Sequence, residues 1–138
     1  MTEVFPWNSE PDEESWTDTV TGLPCFAERC TFGAWLGYVG VAAGHALFGI
    51  DIKKAAAIFH PHGGITMIGL RQDKQPSGVW WFGFSCDHYG DMAPLADYMP
   101  GKSPEDMPVY RTLSFVRQQC AELSSQIVSI GHQPQGHT

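Results

Sequence analysis

Two short stretches of this 138-residue chain concentrate side chains that can do chemistry. The first is His60-Pro61-His62-Gly63-Gly64, between two apolar runs, and the second is Cys86-Asp87-His88-Tyr89-Gly90-Asp91, directly after the most apolar run of all. Alternate residues on extended backbone share a face, so His60 with His62, and Cys86 with His88, can each form a pincer. Read as a small hydrolase, the chain would use Cys86 as attacking thiolate, His88 or His62 as base and Asp91 as orienter, because a thiol attacks as its anion and needs a base in reach. The Gly63–Gly64 amides would then form an oxyanion nest. Read as a zinc site, His62, Cys86 and His88 with His60 or Asp91 would complete four ligands. The two spaced pairs of cysteines that mark a structural zinc site are lacking, so the zinc signal is weak and no metal ligand is assigned.

A third reading is a binding pocket without catalysis. His62, Gly63, Gly64, His45, Arg29 and Tyr89 would contact the ligand, while Tyr38, Trp80, Trp81 and Tyr89 offer stacking faces. The bland alternative makes these groups architectural: the imidazoles bond backbone carbonyls, Asp91 caps a turn, and the glycines supply positive φ.

The elements that must position these residues are mostly strands. Cys25–Cys30 reads as a strand turning at Thr31–Gly33, and Ala34–Val41 (AWLGYVGV) as a stronger one, whose interior glycines mark bulges or close backbone approach. Ala55–Phe59 reads as a short strand or as the end of a helical turn begun at Asp51. Ile65–Leu70 follows the Gly63–Gly64 turn. Val79–Ser85 (VWWFGFS) does not alternate apolar with polar, so both of its faces must be covered, by the helix on one side and by the aromatic arm, loops or a second subunit on the other. Val109, Leu113, Val116, Cys120, Leu123 and Ile127 recur at spacings of 4, 3, 4, 3 and 4, the stripe of one amphipathic helix, with Pro108 in its first turn and Gly131 at its stop. The expected fold is therefore α+β: a curved, mainly antiparallel sheet of four to five strands with the C-terminal helix packed on one face.

A 15.2 kDa chain with 43% hydrophobic residues is one domain with enough apolar surface to close a core. Residues 1–22 read as an acidic N-terminal arm in which Pro6, Pro11 and the acid run oppose regular structure, partly docked through Phe5, Trp7 and Trp16. Residues 23–131 form the domain and 132–138 a flexible tail. The formal charge is −7, and residues 1–18 alone hold six acids and no Lys or Arg, so the body is close to neutral. Duplex nucleic acid needs clustered cations to displace its counterions and is not an expected partner. No run of about 18 apolar residues offers a membrane span, and the acidic first twenty residues do not read as a secretory signal. Four cysteines without an export signal suit free thiols in a reducing cytosol.

The blocks GYVGVAAGHALFGID (Gly37–Asp51), HGGIT (His62–Thr66) and WWFGFSCDHYGD (Trp80–Asp91) resemble an uncharacterised family of small proteins common in bacteriophages, prophages and bacterial genomes. TGLPC (Thr21–Cys25) with Arg29, and the closing Tyr110–Leu123 segment, resemble the same family, so the likeness covers most of residues 4–127. His45, His62, Gly63, Gly64, Cys86, His88, Gly90 and Asp91 stand at the family's pattern positions and His60 does not. The chain departs from the pattern in having Ser85 where the family has Asp, Asp87 where it has a small residue, and only a short segment before WWFGF where other members carry extra Cys and His. The resemblance implies a phage or prophage accessory protein in the host cytosol. It would act by binding a host protein or a small nucleotide-like ligand, as an inhibitor of host defence. The alternatives are the hydrolase of Cys86, His88 and Asp91, with or without zinc, and a structural interaction domain. The doubly apolar strand suggests a homodimer.

Overall fold

The computed structural model describes residues 10–30, 33–74, 77–86, 91 and 110–131. Five strands, β1 (Glu13–Thr17), β2 (Pro24–Arg29), β3 (Trp35–Ala42), β4 (Met67–Leu70) and β5 (Val79–Ser85), form one open antiparallel sheet in the order β1-β2-β3-β5-β4. A short helix, α1 (Ile52–Ile58), lies between β3 and β4, and the long helix α2 (Leu113–Gly131) packs on the sheet. The architecture is α+β, as the patterning predicts.

The two faces of β5 separate by parity. Trp80, Phe82 and Phe84 face the helix side, where Trp35, Val39, Val116, Cys120, Leu123 and Ile127 are buried with them. Val79 and Trp81 face the other side, packed with Phe26 and Tyr38, all four at most 5% exposed. This second face is closed within the chain, by partly buried Leu36 and Met67 and by Arg71 and Lys74, which lie over the Phe26 ring at 5.4 and 4.6 Å. A second subunit is not required to bury it. The interior glycines make room for large neighbours: a Cβ at Gly37 would meet the Phe84 ring and Val116, and one at Gly83 would meet the Tyr38 ring. Each ring buried this way contributes roughly 1.5–3 kcal/mol.

One element differs from the sequence expectation, and another decides between two readings. Residues 13–17 of the acidic arm form a regular strand rather than irregular chain, paired along β2 from Glu13↔Glu28 to Thr17↔Pro24. Distant cations offset its charge: Lys74 pairs with Glu13, and Arg117 pairs with Glu14 while lying 4.7 Å over the Trp16 ring. Asp18 is buried and accepts from Val20 N, Thr21 N and Thr21 Oγ1, closing the β1–β2 turn. Residues 55–58 belong to α1, whose N-cap Asp51 accepts from Lys54 N at 3.0 Å, so of the two readings of this stretch the helical one holds.

The start of α2 is set by side chains. Thr112 Oγ1 accepts from Phe115 N at 3.1 Å as an N-cap, and Glu10 Oε2 accepts from Leu113 N at 2.7 Å, placing a carboxylate where the helix dipole favours one. The expected first turn at Pro108–Val109 lies outside the described residues, and Tyr110–Thr112 precede the helix. The other oxygen of Glu10 accepts from Tyr110 Oη and from Trp35 Nε1, and Trp35 Nε1 also donates to Tyr110 Oη at 3.0 Å. Burial, then the hydrogen bond to Glu10, push the Tyr110 phenol up to about 12. An unfolded tyrosine titrates near pH ~10, so the folded state holds this proton more tightly. Its contribution to stability is complete below pH ~10 and is lost as pH rises to ~12. Urea midpoints measured across this window should fall steeply for the parent chain and less steeply for Tyr110→Phe.

Candidate functional site

The Pro61–Gly64 segment is a turn in which Gly64 N donates to Pro61 O at 2.7 Å, and Gly63 and Gly64 adopt φ of 72° and 83°, conformations that suit glycine. Helix α2 holds this segment through two glutamines seven residues apart: Gln119 Oε1 accepts from His62 N at 2.8 Å and Gln126 Oε1 from His60 N at 3.3 Å. The backbone is thereby clamped along the helix, and the His62 ring stands edge-on to Phe115 with centroids 5.1 Å apart.

His62 meets the distal end of the second chemistry-bearing stretch. Its Nε2 lies 2.7 Å from Asp91 Oδ2, so the ring carries its proton on Nε2 and donates it to the carboxylate. Arg111 Nε donates to the other oxygen, Asp91 Oδ1, at 2.8 Å, and the Arg111 guanidinium lies 4.9 Å from the Phe115 ring centre. The Asp91 side chain is 1% exposed, against 20% for His62 and 31% for Arg111. The result is a buried anion between two partly exposed donors, both against one aromatic ring. Such a carboxylate orients its partners, and Arg111 keeps its outer guanidinium N–H groups at a partly exposed rim.

The remaining site candidates fall elsewhere or have other partners. Cys86 is 1% exposed and continues the β3–β5 ladder, its N donating to Trp35 O at 2.9 Å. Burial keeps its sulfur from the solvent-reachable position that a nucleophile requires. Because Gly64 N is bonded to Pro61 O, the proposed two-amide oxyanion nest loses one of its donors. His45 lies in the turn after Ala42, where its Nδ1 accepts from Leu47 N. That is the Ala42↔Val79 end of the β3–β5 pair, whereas Cys86 follows the Leu36↔Ser85 end, six residues or about 20 Å along the strands. Arg29 belongs to the Glu10 cluster: it donates to Pro11 O, Gly33 O and Tyr110 Oη, pairs with Glu10, and lies 4.6 Å over the Trp35 ring. Asp87, His88, Tyr89 and Gly90 lie outside the described residues, so the His88 base and the Tyr89 contact are not placed. Among the described residues no group of three or more His, Cys, Asp or Glu side chains is disposed to hold a metal ion.

Sequence reasoning singled out none of Arg111, Phe115 and Gln119. The signal was the spacing of four: Phe115 and Gln119 share a face of α2 beside the apolar one, and Arg111 lies four residues before Phe115, just ahead of the helix. The four cysteines are free, and Cys25, Cys86 and Cys120 are buried while Cys30 is partly exposed. The neighbouring Cys25 thiol, and then burial, raise the Cys120 thiol well above its ordinary range.

Labelling the native protein with iodoacetamide should therefore modify Cys30 first, leaving Cys86 unmodified until denaturant is added; rapid modification of Cys86 would restore it as a nucleophile. Replacing Asp91 with Ala should cost about 1–3 kcal/mol in urea unfolding, since it strands two donors that retain some access to water. Comparison with protein-family models, with curated proteins and with solved structures finds no match to this chain.

Proposed function

We propose that this chain is a binding protein and that the surface formed by His62, Phe115 and Arg111 receives the phosphate end of a small nucleotide-like ligand. The observation that carries this reading is the orientation of Arg111. Its Nε is bonded to Asp91, and its terminal Nη groups have no hydrogen-bond acceptor among the described residues while the side chain stays 31% exposed. A guanidinium fixed at Nε presents its outer nitrogens as a preformed fork, the geometry that matches phosphate or carboxylate oxygens. His62, bonded to the other oxygen of the same carboxylate, holds that anion in place beneath the fork. The burial of Cys86 weighs against the hydrolase, whose attacking sulfur would have to reach its substrate.

The resemblance supports the biological setting: a phage or prophage accessory protein acting in the host cytosol and interfering with host defence by sequestering its ligand. No described helix is long and apolar enough to cross a membrane. The near-neutral body supports a small ligand over duplex nucleic acid. A host protein docking on the same rim is the second reading, favoured if no small ligand binds.

Calorimetric titration of the intact chain with mono-, di- and triphosphate nucleosides, cyclic nucleotides and inorganic phosphate tests the reading. At least one nucleotide should bind, and Arg111→Ala should weaken it roughly 10- to 100-fold, the worth of one charge-assisted contact. Circular dichroism and Arg111→Lys would separate this effect from loss of fold. An absence of heat across the whole panel would overturn the proposal.

A further inference from the structure

On the opposite face of the sheet, away from α2, lies a cleft of about 180 Å³ lined by Tyr38, Met67, Gly69, Leu70, Arg71 and Trp81. Its origin is a missing side chain. Gly69 on β4 is paired with Trp81 on β5, and nothing lies within 4 Å of the position a Cβ would occupy there. On the other side of Trp81, Gly40 of β3 is filled by the indole: its Cε3 and Cζ3 edge sits where a Gly40 Cβ would stand. The Nε1 edge is the opposite edge of the ring system and so turns from β3 toward β4 and the space over Gly69. Trp81 is 2% exposed, and its Nε1 finds no hydrogen-bond acceptor among the described residues. A buried, unpaired N–H is unfavourable, and an incoming acceptor would relieve it.

The chemistry of the walls restricts the occupant. Tyr38 Oη donates to the thioether of Met67, a weak acceptor, at 3.0 Å. Burial, then the Glu28 charge, raise its pKa, so it stays a protonated donor. Arg71 has no charge to spare: its nitrogens bond Asp73 at 2.9 Å and Glu28 at 3.1 and 3.4 Å, and Lys74 bridges Glu28 and Glu13. The two bases of this network are outnumbered by its three acids, Asp73, Glu28 and Glu13, leaving no uncompensated cation for an anionic ligand. The size is near that of the ~150 Å³ cavity that accepts a single benzene ring.

We propose that this cleft is a second binding site, for a small neutral heteroaromatic ring that presents an acceptor oxygen or nitrogen to Trp81 Nε1 and stacks between Met67 and the Arg71 guanidinium. A pyridone- or pyrimidinone-sized ring meets these requirements; a charged or phosphorylated ligand does not. The site lies across the sheet from His62 and Arg111 and does not depend on the nucleotide reading.

The test is the indole region of the proton–nitrogen NMR spectrum of the intact, tryptophan-labelled chain, with Trp81 assigned through Trp81→Phe. Addition of 2-pyridone should move the Trp81 indole proton downfield saturably while benzene leaves it in place. Met67→Phe, which fills the cleft and spares the indole, should weaken the pyridone response roughly tenfold. It also provides the assignment by difference if Trp81→Phe does not fold. An indole proton unmoved by excess 2-pyridone, moved equally by benzene, or moved as strongly in Met67→Phe would overturn the proposal.

Discussion

A carboxylate almost fully removed from water costs several kcal/mol unless its charge is met, and Asp91 is such a group. Its two oxygens are met from two directions: Oδ2 by His62 on the turn before β4, and Oδ1 by Arg111 just before α2. Three segments distant in sequence therefore share one electrostatic requirement. The turn cannot drift from the helix without exposing an unpaired anion, and the helix cannot slide along the sheet without the same loss. The glutamine clamps on the backbone of His60 and His62 reinforce the arrangement but carry no charge.

The entry to α2 is where these requirements accumulate. Tyr110 and Arg111 are adjacent, yet one is bound to Glu10 and the other to Asp91. Glu10 also accepts from the first helical N–H and from the Trp35 indole, so the segment before β1 is stapled to the N-terminal end of the helix. Arg29 extends this staple to the loop after β2, through Gly33 O. The same polar joints that hold the helix to the sheet also fix the orientation of Arg111, so architecture and the proposed ligand surface share their parts.

How much of this was legible follows from where each signal resides. β2, β3 and β5 were readable because their apolar runs are continuous and their interior glycines announce close packing; the observed strands begin or end within one residue of the expected ones. β1 was not, because Glu13-Glu14-Ser15-Trp16-Thr17 has one apolar residue in five, and the cations that neutralise it lie at Lys74 and Arg117. The seven residues of α1 were ambiguous because an alanine run carries no period, and its cap residue Asp51 is the only local sign. At the site, His62 and Asp91 stood out as ionisable groups beside glycines, and they do meet. Arg111, Phe115 and Gln119 did not stand out, since what distinguishes them is a neighbour 20 to 57 residues away.

The outermost strands among the described residues are β1 and β4, and they differ in how they deter unwanted partners. Strand edges present unpaired peptide groups that recruit foreign strands unless something discourages it. β1 carries Glu13, 71% exposed in its side chain, next to Glu14, and both are engaged in ion pairs, with Lys74 and Arg117, that a strand docking on this margin would have to desolvate. β4 has no charged side chain of its own and ends in Leu70, 57% exposed, but it is only four residues long and is bent by a glycine at φ 136°. One margin is thus guarded by charged side chains and the other by brevity and distortion. The charged side chains of β1 serve, on this view, to keep an otherwise open edge from fibrillar self-assembly.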